Sequence, residues 1–203
     1  MRISVTGFAR IRDDQGRYAV LVNKGRLTRG KGRILSPIGG GLEYTPQGRR
    51  YLESLGATDF EGDRMSPVVP DLRFRVPNDQ VLTVVDWFER RRNRETSVRR
   101  EMTEELTHET RVLTLGSLRS ATEEFVGFFR YNATTTRDVP EKETVYLIEA
   151  FNVMLNERAM RTMKAASQID IMRRWVYFVT RTEIEAGITR DGIEIGPITR
   201  YIL

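Results

Sequence analysis

Arg100-Glu101-Met102-Thr103-Glu104-Glu105 decides how this chain is read. Three carboxylates fall within five residues, and the flanking pattern is helical. A helix turns about 100° per residue, so Glu101, Glu104 and Glu105 project from one face within about one turn. Like charges so spaced repel unless something positive meets them. Nearby arginines with solvent, or a divalent metal, are the two candidates, and a solvated charged face is the plainer alternative.

The helix itself spans about Arg94 to Thr107, with Val98, Met102 and Leu106 at i, i+4 and i+8 as its buried stripe and Asn93 as N-cap. Immediately before and inside it stand Arg90, Arg91, Arg92, Arg94, Arg99 and Arg100. Pairing of Arg100 with Glu104 along the helix accounts for part of this block. A basic block beside an acidic one suits a compact phosphate site with metal better than a groove tracking a nucleic-acid backbone.

Upstream, residues 3–11 and 18–23 alternate like strands, joined by the turn Asp13-Asp14-Gln15-Gly16 as an antiparallel hairpin. Lys24 to Arg33 has no periodicity and reads as a loop; its cations offer to steer an anion. Ile34 to Leu42 holds the run Gly39-Gly40-Gly41, and three glycines in a strand imply backbone that something approaches closely. From about 45 to 93 the character changes. A short helix fits Arg49 to Leu55 and ends at Gly56, 58–80 has no period, and Val81 to Phe88 reads as a strand, with a helix start near Asp86 as the alternative. A stretch this long implies an insertion acting as a lid or partner surface.

Downstream, strands are expected at 112–119, 124–131 and 144–155, the last two flanking the connection 132–142. A helix over 156–166 turns Met160 and Met163 inward. A strand at Trp175–Val179, a helical turn at Thr182–Ala186 closed by Gly187, and a last turn at Pro197–Leu203 complete the chain. The fold class is α/β (α+β), a mixed sheet with a few helices, and the simplest organisation is one domain over 1–203 with the 45–93 insertion.

Composition narrows the function. A 203-residue chain, 39% hydrophobic and 30% charged, is long enough for a sizeable core. With no cysteine, disulfides and thiolate chemistry are excluded. No apolar run approaches a membrane span, so no membrane association and a cytoplasmic location are the default. The net charge of +5 favours anionic partners.

In order, the elements are strand hairpin, glycine run, carboxylate helix, further strands and a late Trp-bearing strand. That order resembles the Nudix hydrolase superfamily. Ser36-Pro37-Ile38-Gly39-Gly40-Gly41-Leu42-Glu43 is similar to the opening of its motif, Arg100 to Glu105 matches the helical core without a gap, and Arg174 to Val179 followed by Glu183-Ile184 resembles its final strand and turn. Trp87-Phe88 leading into the arginines also resembles the SMODS-associated NUDIX proteins of bacterial nucleotide-signalling defence loci.

The resemblance implies an α/β/α sandwich and Mg²⁺ (or Mn²⁺) held by Glu101, Glu104 and Glu105, with Glu101 a ligand or, through water, a base. It implies Gly39, Gly40 and Gly41 beside the substrate, Arg100 orienting a glutamate or, alternatively, contacting phosphate, a nucleotide-type ligand, and pairing as a homodimer. Mg²⁺ prefers oxygen ligands and retained waters, which such a helix supplies without His or Cys. Hydrolysis of a diphosphate linkage in a nucleoside diphosphate derivative is the implied activity; a catalytically weak nucleotide sensor is the alternative.

Three departures stand out. The insertion splits the motif. The first motif glutamate falls at Arg92, where Glu89 or Glu95 would substitute in space. The motif's closing glycine and aliphatic align with Thr107 and His108. Glu124, Glu141, Glu143 and Asp170 are candidates for a general base, though each fits a solvated surface acid better. His108 fits a helix C-terminus better than catalysis, and Trp87 and Trp175 fit a core better than a base-stacking platform.

Overall fold

The structure is a computed structural model, and it describes residues 1–61, 70–133 and 143–203. The strands are β1 (Arg2–Arg10), β2 (Tyr18–Val22), β3 (Ile34–Gly41), β4 (Arg73–Arg75), β5 (Thr122–Ala133), β6 (Thr144–Met154), β7 (Val176–Val179) and β8 (Glu194–Ile195). The helices are α1 (Lys24–Thr28), α2 (Pro46–Ser54), α3 (Val81–Glu89), α4 (Arg99–Thr103), α5 (Leu115–Leu118), α6 (Glu157–Ala166) and α7 (Arg181–Ala186). A π-helical segment, Glu104–Glu109, continues α4, and Pro197–Ile202 closes the chain as a 3₁₀ turn. The strand order is β5-β6-β1-β3-β2-β7, with β4 on β1 and β8 on β3. The sheet is mixed, since β8 runs parallel to β3 while β2 pairs antiparallel with β3 and β7. This is the mixed α/β class that the sequence implied.

Contacts divide the chain into two compact units. The first comprises Met1–Gly7, Gly40–Ser97 and Gly127–Glu149. The 45–61 and 70–93 parts of the insertion fold here as α2, β4 and α3, and they supply much of its core. Leu52, Phe60, Leu72, Phe74, Val84 and Phe88 pack with Ile3, Val5, Leu42 and Leu147. The rest of the insertion lies outside the described residues, as does most of the connection 132–142 with Glu141.

Val81–Glu89 is a helix, not the strand its β-branched content suggested. Val81, Val84, Val85 and Phe88 recur at i, i+3, i+4 and i+7 and are all buried, whereas Leu82 is 68% exposed. Packing of that stripe outweighs intrinsic β-propensity. At the end of α3, Arg91 and Asn93 adopt positive φ. Asn93 is therefore no N-cap; its carbonyl instead accepts from Thr45, the N-cap of α2.

Arg94 is likewise not helical. It is fully buried, donates to the Phe88 carbonyl at 2.6 Å, lies over the Phe88 ring at 4.2 Å and pairs with Glu149 at 2.6 Å. Arg91 reaches the same Glu149 at 3.0 Å. These contacts satisfy the carbonyl at the end of α3 and compensate two charges that burial alone would make costly.

The second unit comprises Phe8–Gly39, Val98–Val126 and Ala150–Leu203. Its core joins Ile11, Leu21, Ile38, Met102, Leu106, Phe151 and Met163. The hairpin after β1 is reduced to one bridge, Arg12 to Tyr18, and β3 rather than β1 is the neighbour of β2. Asp13 nonetheless builds the turn as expected, its carboxylate accepting from the Gln15 and Arg17 N–H groups.

Residues 24–28 form a helical turn in place of a loop because the Asn23 side chain caps it by accepting from the Arg26 N–H. Leu115–Leu118 is likewise a turn of helix rather than strand, capped by Thr114. The remaining elements follow the sequence closely. Asn156 caps α6, which buries Met163, and Thr180 with Glu183 forms a capping box on α7, which ends at Gly187 with φ 73°.

Candidate active site

The carboxylate helix begins later than the sequence pattern indicates, at Arg99, and its start has an external cap. Val98 at the N-cap offers no side-chain acceptor, and its own N–H donates to Glu123 at 3.2 Å. The other Glu123 oxygen pairs with Arg99 at 2.8 Å, and Arg99 also donates to the carbonyls of Leu118 and Ala121. One half-buried acid at the head of β5 thus satisfies an orphan donor and sits at the positive end of the helix. The legible signal was parity. Glu123 shares its side of β5 with Phe125, whose ring meets the core residue Phe151.

Val98, Met102 and Leu106 are fully buried, as the stripe predicted. They hold one face of the helix into the core and leave the acids on another. At Glu104 the ladder widens from α to π, closing with the Thr110 N–H on the Glu105 carbonyl at 3.0 Å. A π segment alters the angular spacing after Glu104, and such segments recur at functional sites. The uniform helical wheel used to place Glu105 therefore fails at this point.

Glu105 is half-buried, and its carboxylate accepts from the Gly39 N–H at 2.7 Å. That bond brings the glycine run and the acidic helix together through Gly39, whose φ of 130° favours glycine. Burial pushes the Glu105 carboxyl up to about 8. The Gly39 hydrogen bond works against that rise, and the neighbouring charges of Glu101, Glu109 and Glu104 add to it.

Arg100 donates to Glu101 at 2.7 Å and reaches Glu104 at 3.4 Å. Glu104 is half-exposed, whereas the Glu101 side chain is 16% exposed. This is the orienting salt-bridge geometry rather than a guanidinium held out for phosphate. Gly41, in the first unit, has a separate constraint: a Cβ there would stand 3.1 Å from the Asp71 carboxylate. His108 is exposed in the π segment.

The arginine block is largely consumed by folding. Arg90 pairs with Asp86, Arg91 and Arg94 with Glu149, and Arg99 with Glu123. Arg33, proposed as a steering cation, donates to the Arg174 and Met172 carbonyls. Glu95, a candidate substitute ligand, accepts from the Glu43 N–H in the first unit. Asp170, a candidate base, accepts from the Met172 N–H.

The chemistry of the donor set suits a hard divalent cation, being all oxygen and including an acid that its neighbours destabilise when charged. Among the described residues, however, no group of three or more His, Cys, Asp or Glu side chains stands close enough to hold a metal ion. Arg100 forms ion pairs with both Glu101 and Glu104. No helix among the described residues is long and apolar enough to cross a membrane.

A mixed sheet carrying the motif helix, its third glutamate bonded to the glycine run, defines a Nudix-type domain. The chain belongs to the SMODS-associated NUDIX domain family, whose model matches residues 1–203. No curated protein matches it.

Proposed function

We propose that this Nudix-family domain hydrolyses a diphosphate linkage in a nucleoside diphosphate derivative, using Mg²⁺ or Mn²⁺ bound by Glu101, Glu104 and Glu105. The observation that supports this reading is the bond from the Gly39 N–H to Glu105, a desolvated acid surrounded by Glu101, Glu104 and Glu109. A bound divalent cation would neutralise phosphate oxygens and make water nucleophilic. Glu105, anchored by Gly39, holds its carboxylate in one place. Arg100 sets the orientation of Glu101 at 2.7 Å and holds Glu104 only by a longer 3.4 Å contact, which that acid would give up to turn toward a bound cation.

A second reading is a nucleotide-binding sensor that turns over slowly or not at all, serving bacterial antiviral nucleotide signalling. The Arg100 pairings and the lack of a gathered metal-holding group among the described residues favour it. The two separate on incubation with ADP-ribose, dinucleoside polyphosphates and nucleoside triphosphates with either metal. The hydrolase reading expects products that vanish in Glu104→Gln with the fold retained. No turnover of any of them, together with a nucleotide-induced rise in Tm, would establish the sensor.

A further inference from the structure

In the second unit, residues 168–174 lie between α6 and β7, and three charged side chains fasten their backbone. Arg174 donates from Nε and Nη2 to the Ile169 carbonyl at 3.1 and 2.9 Å, and the Asp170 carboxylate accepts from the Met172 N–H at 2.9 Å. Arg33 adds two bonds from another segment, to the Met172 carbonyl at 3.0 Å and the Arg174 carbonyl at 2.6 Å. The Arg173 and Arg174 N–H groups close the turn on the Asp170 carbonyl. A loop with its polar groups so engaged keeps one shape. That shape turns apolar side chains outward: Ile169 is 45%, Ile171 38% and Met172 78% exposed.

The basic stretch Lys24 to Arg33 is rooted beside this loop. Just before it the Val22 N–H donates to the Trp175 carbonyl, and at its end Arg33 holds Met172 and Arg174. Lys24, Arg26 and Arg29 on this stretch, and Arg173 on the loop, have no ion-pair partner among the described residues. The two segments contain a single acid, Asp170, and the Met172 N–H engages it. Three outward apolar side chains thus stand with four uncancelled positive charges, and an exposed apolar patch with such a rim marks an interaction surface.

The chemistry of the patch selects its partner. A second copy would set these cations against their own kind. Neither segment contains an aromatic residue, and Tyr177, which Arg174 covers at 5.0 Å, is buried, so the patch offers no platform for stacked nucleic-acid bases. An acidic polypeptide supplies charge but little apolar depth. An anionic bilayer supplies both, phosphate headgroups for the cations and hydrocarbon behind them for the apolar side chains.

We propose that these two segments dock the protein on an anionic lipid bilayer, with Ile169, Ile171 and Met172 entering the headgroup boundary and Lys24, Arg26, Arg29 and Arg173 meeting lipid phosphates. The fastened backbone holds the apolar side chains out before binding, so little ordering is left for the encounter. Peripheral contact of this kind needs no spanning segment, and it departs from the expectation of no membrane association, which considered only spanning runs.

The test is co-sedimentation of the full chain with vesicles of equimolar phosphatidylcholine and phosphatidylglycerol, with circular dichroism to verify folding of each variant. No substrate or metal is present, so the outcome is independent of catalysis. The wild type is expected to sediment with these vesicles at low salt, to be released as salt rises, and to leave pure phosphatidylcholine vesicles unbound. Arg29→Glu lowers the partition constant about fivefold or more. Ile171→Gln combined with Met172→Gln, which changes no charge, lowers it about tenfold or more. A wild type that ignores the anionic vesicles, or binds the neutral ones equally, would overturn the proposal. So would binding that neither variant weakens, or retention of polyglutamate or single-stranded RNA by a chain that no vesicle binds.

Discussion

Replacing Glu105 by glutamine tests the electrostatics of the site without a substrate. In the metal-free protein, burial holds the Glu105 carboxyl up at about 8, against an ordinary 4.5. Well below pH 4.5 it is protonated whether the chain is folded or not, and contributes nothing to the pH dependence. Between 4.5 and 8 the unfolded chain releases this proton while the folded chain keeps it, so stability falls as pH rises. Above pH 8 the folded protein carries the full cost of a buried charge beside Glu101, Glu104 and Glu109.

At about 1.4 kcal/mol per pH unit, that window amounts to at most about 5 kcal/mol. Glutamine mimics the protonated acid and keeps an oxygen for the Gly39 N–H. The variant is therefore expected to match wild type near pH 4.5 and to exceed it increasingly toward pH 9. A chain of this size gains about 2–4 °C per kcal/mol, so the gap reaches roughly 10 °C in Tm. Thermal melts at half-unit steps from pH 4.5 to 9, in the presence of a chelator, measure it, and all other titrations cancel in the difference. Parallel curves for the two proteins would mean that folding does not hold Glu105 protonated. A saturating divalent cation should shrink the gap, because it stabilises the ionised acid in the wild type alone.

Other substitutions probe the supports. Glu123→Ala removes the acceptor of the Val98 N–H and the partner of Arg99; a loss of about 1–3 kcal/mol in urea unfolding is expected, and an unchanged midpoint would deny Glu123 its capping role. Glu149→Ala strands Arg94 as a buried uncompensated charge and should cost about 3–5 kcal/mol in the same assay, far more than Asp86→Ala at the exposed Arg90 pair. Gly48→Ala places a Cβ 2.0 Å from the Asn93 carbonyl oxygen, where backbone must give way; a loss of several kcal/mol, about 2 or more, is expected, while Gly127→Ala meets nothing and should leave Tm nearly unchanged.

The sequence revealed most where one local signal met no rival. The α6 and α7 helices with the Gly187 stop, the Met102 stripe and the β6 and β7 strands all carry patterns that a single element can satisfy by itself. α3 was misread because Val and Trp signal strand by propensity, and only burial of the 81/84/85/88 stripe against β1 and β4 residues makes the helix prevail. The start of the acidic helix was misplaced because the arginines before it look like helix charge. Arg94 is instead withdrawn into the first core by Glu149, fifty-five residues away, which no local pattern reports.

At the site, the glycine run and the acidic helix both stand out in the sequence, and the structure joins them at one point, the Gly39 N–H on Glu105. The π segment was not legible, since it arises from where Thr110 closes its hydrogen bond rather than from composition. Nor was the role of Glu123, which depends on a strand meeting the helix start.

A crystal soaked in Mn²⁺ with a nucleoside diphosphate decides whether the acidic helix binds a divalent cation, as proposed. Anomalous density is expected among Glu101, Glu104 and Glu105, with Glu104 turned away from Arg100. Nucleotide bound with no manganese at these carboxylates, and the Arg100–Glu104 pair still closed, would contradict the proposal.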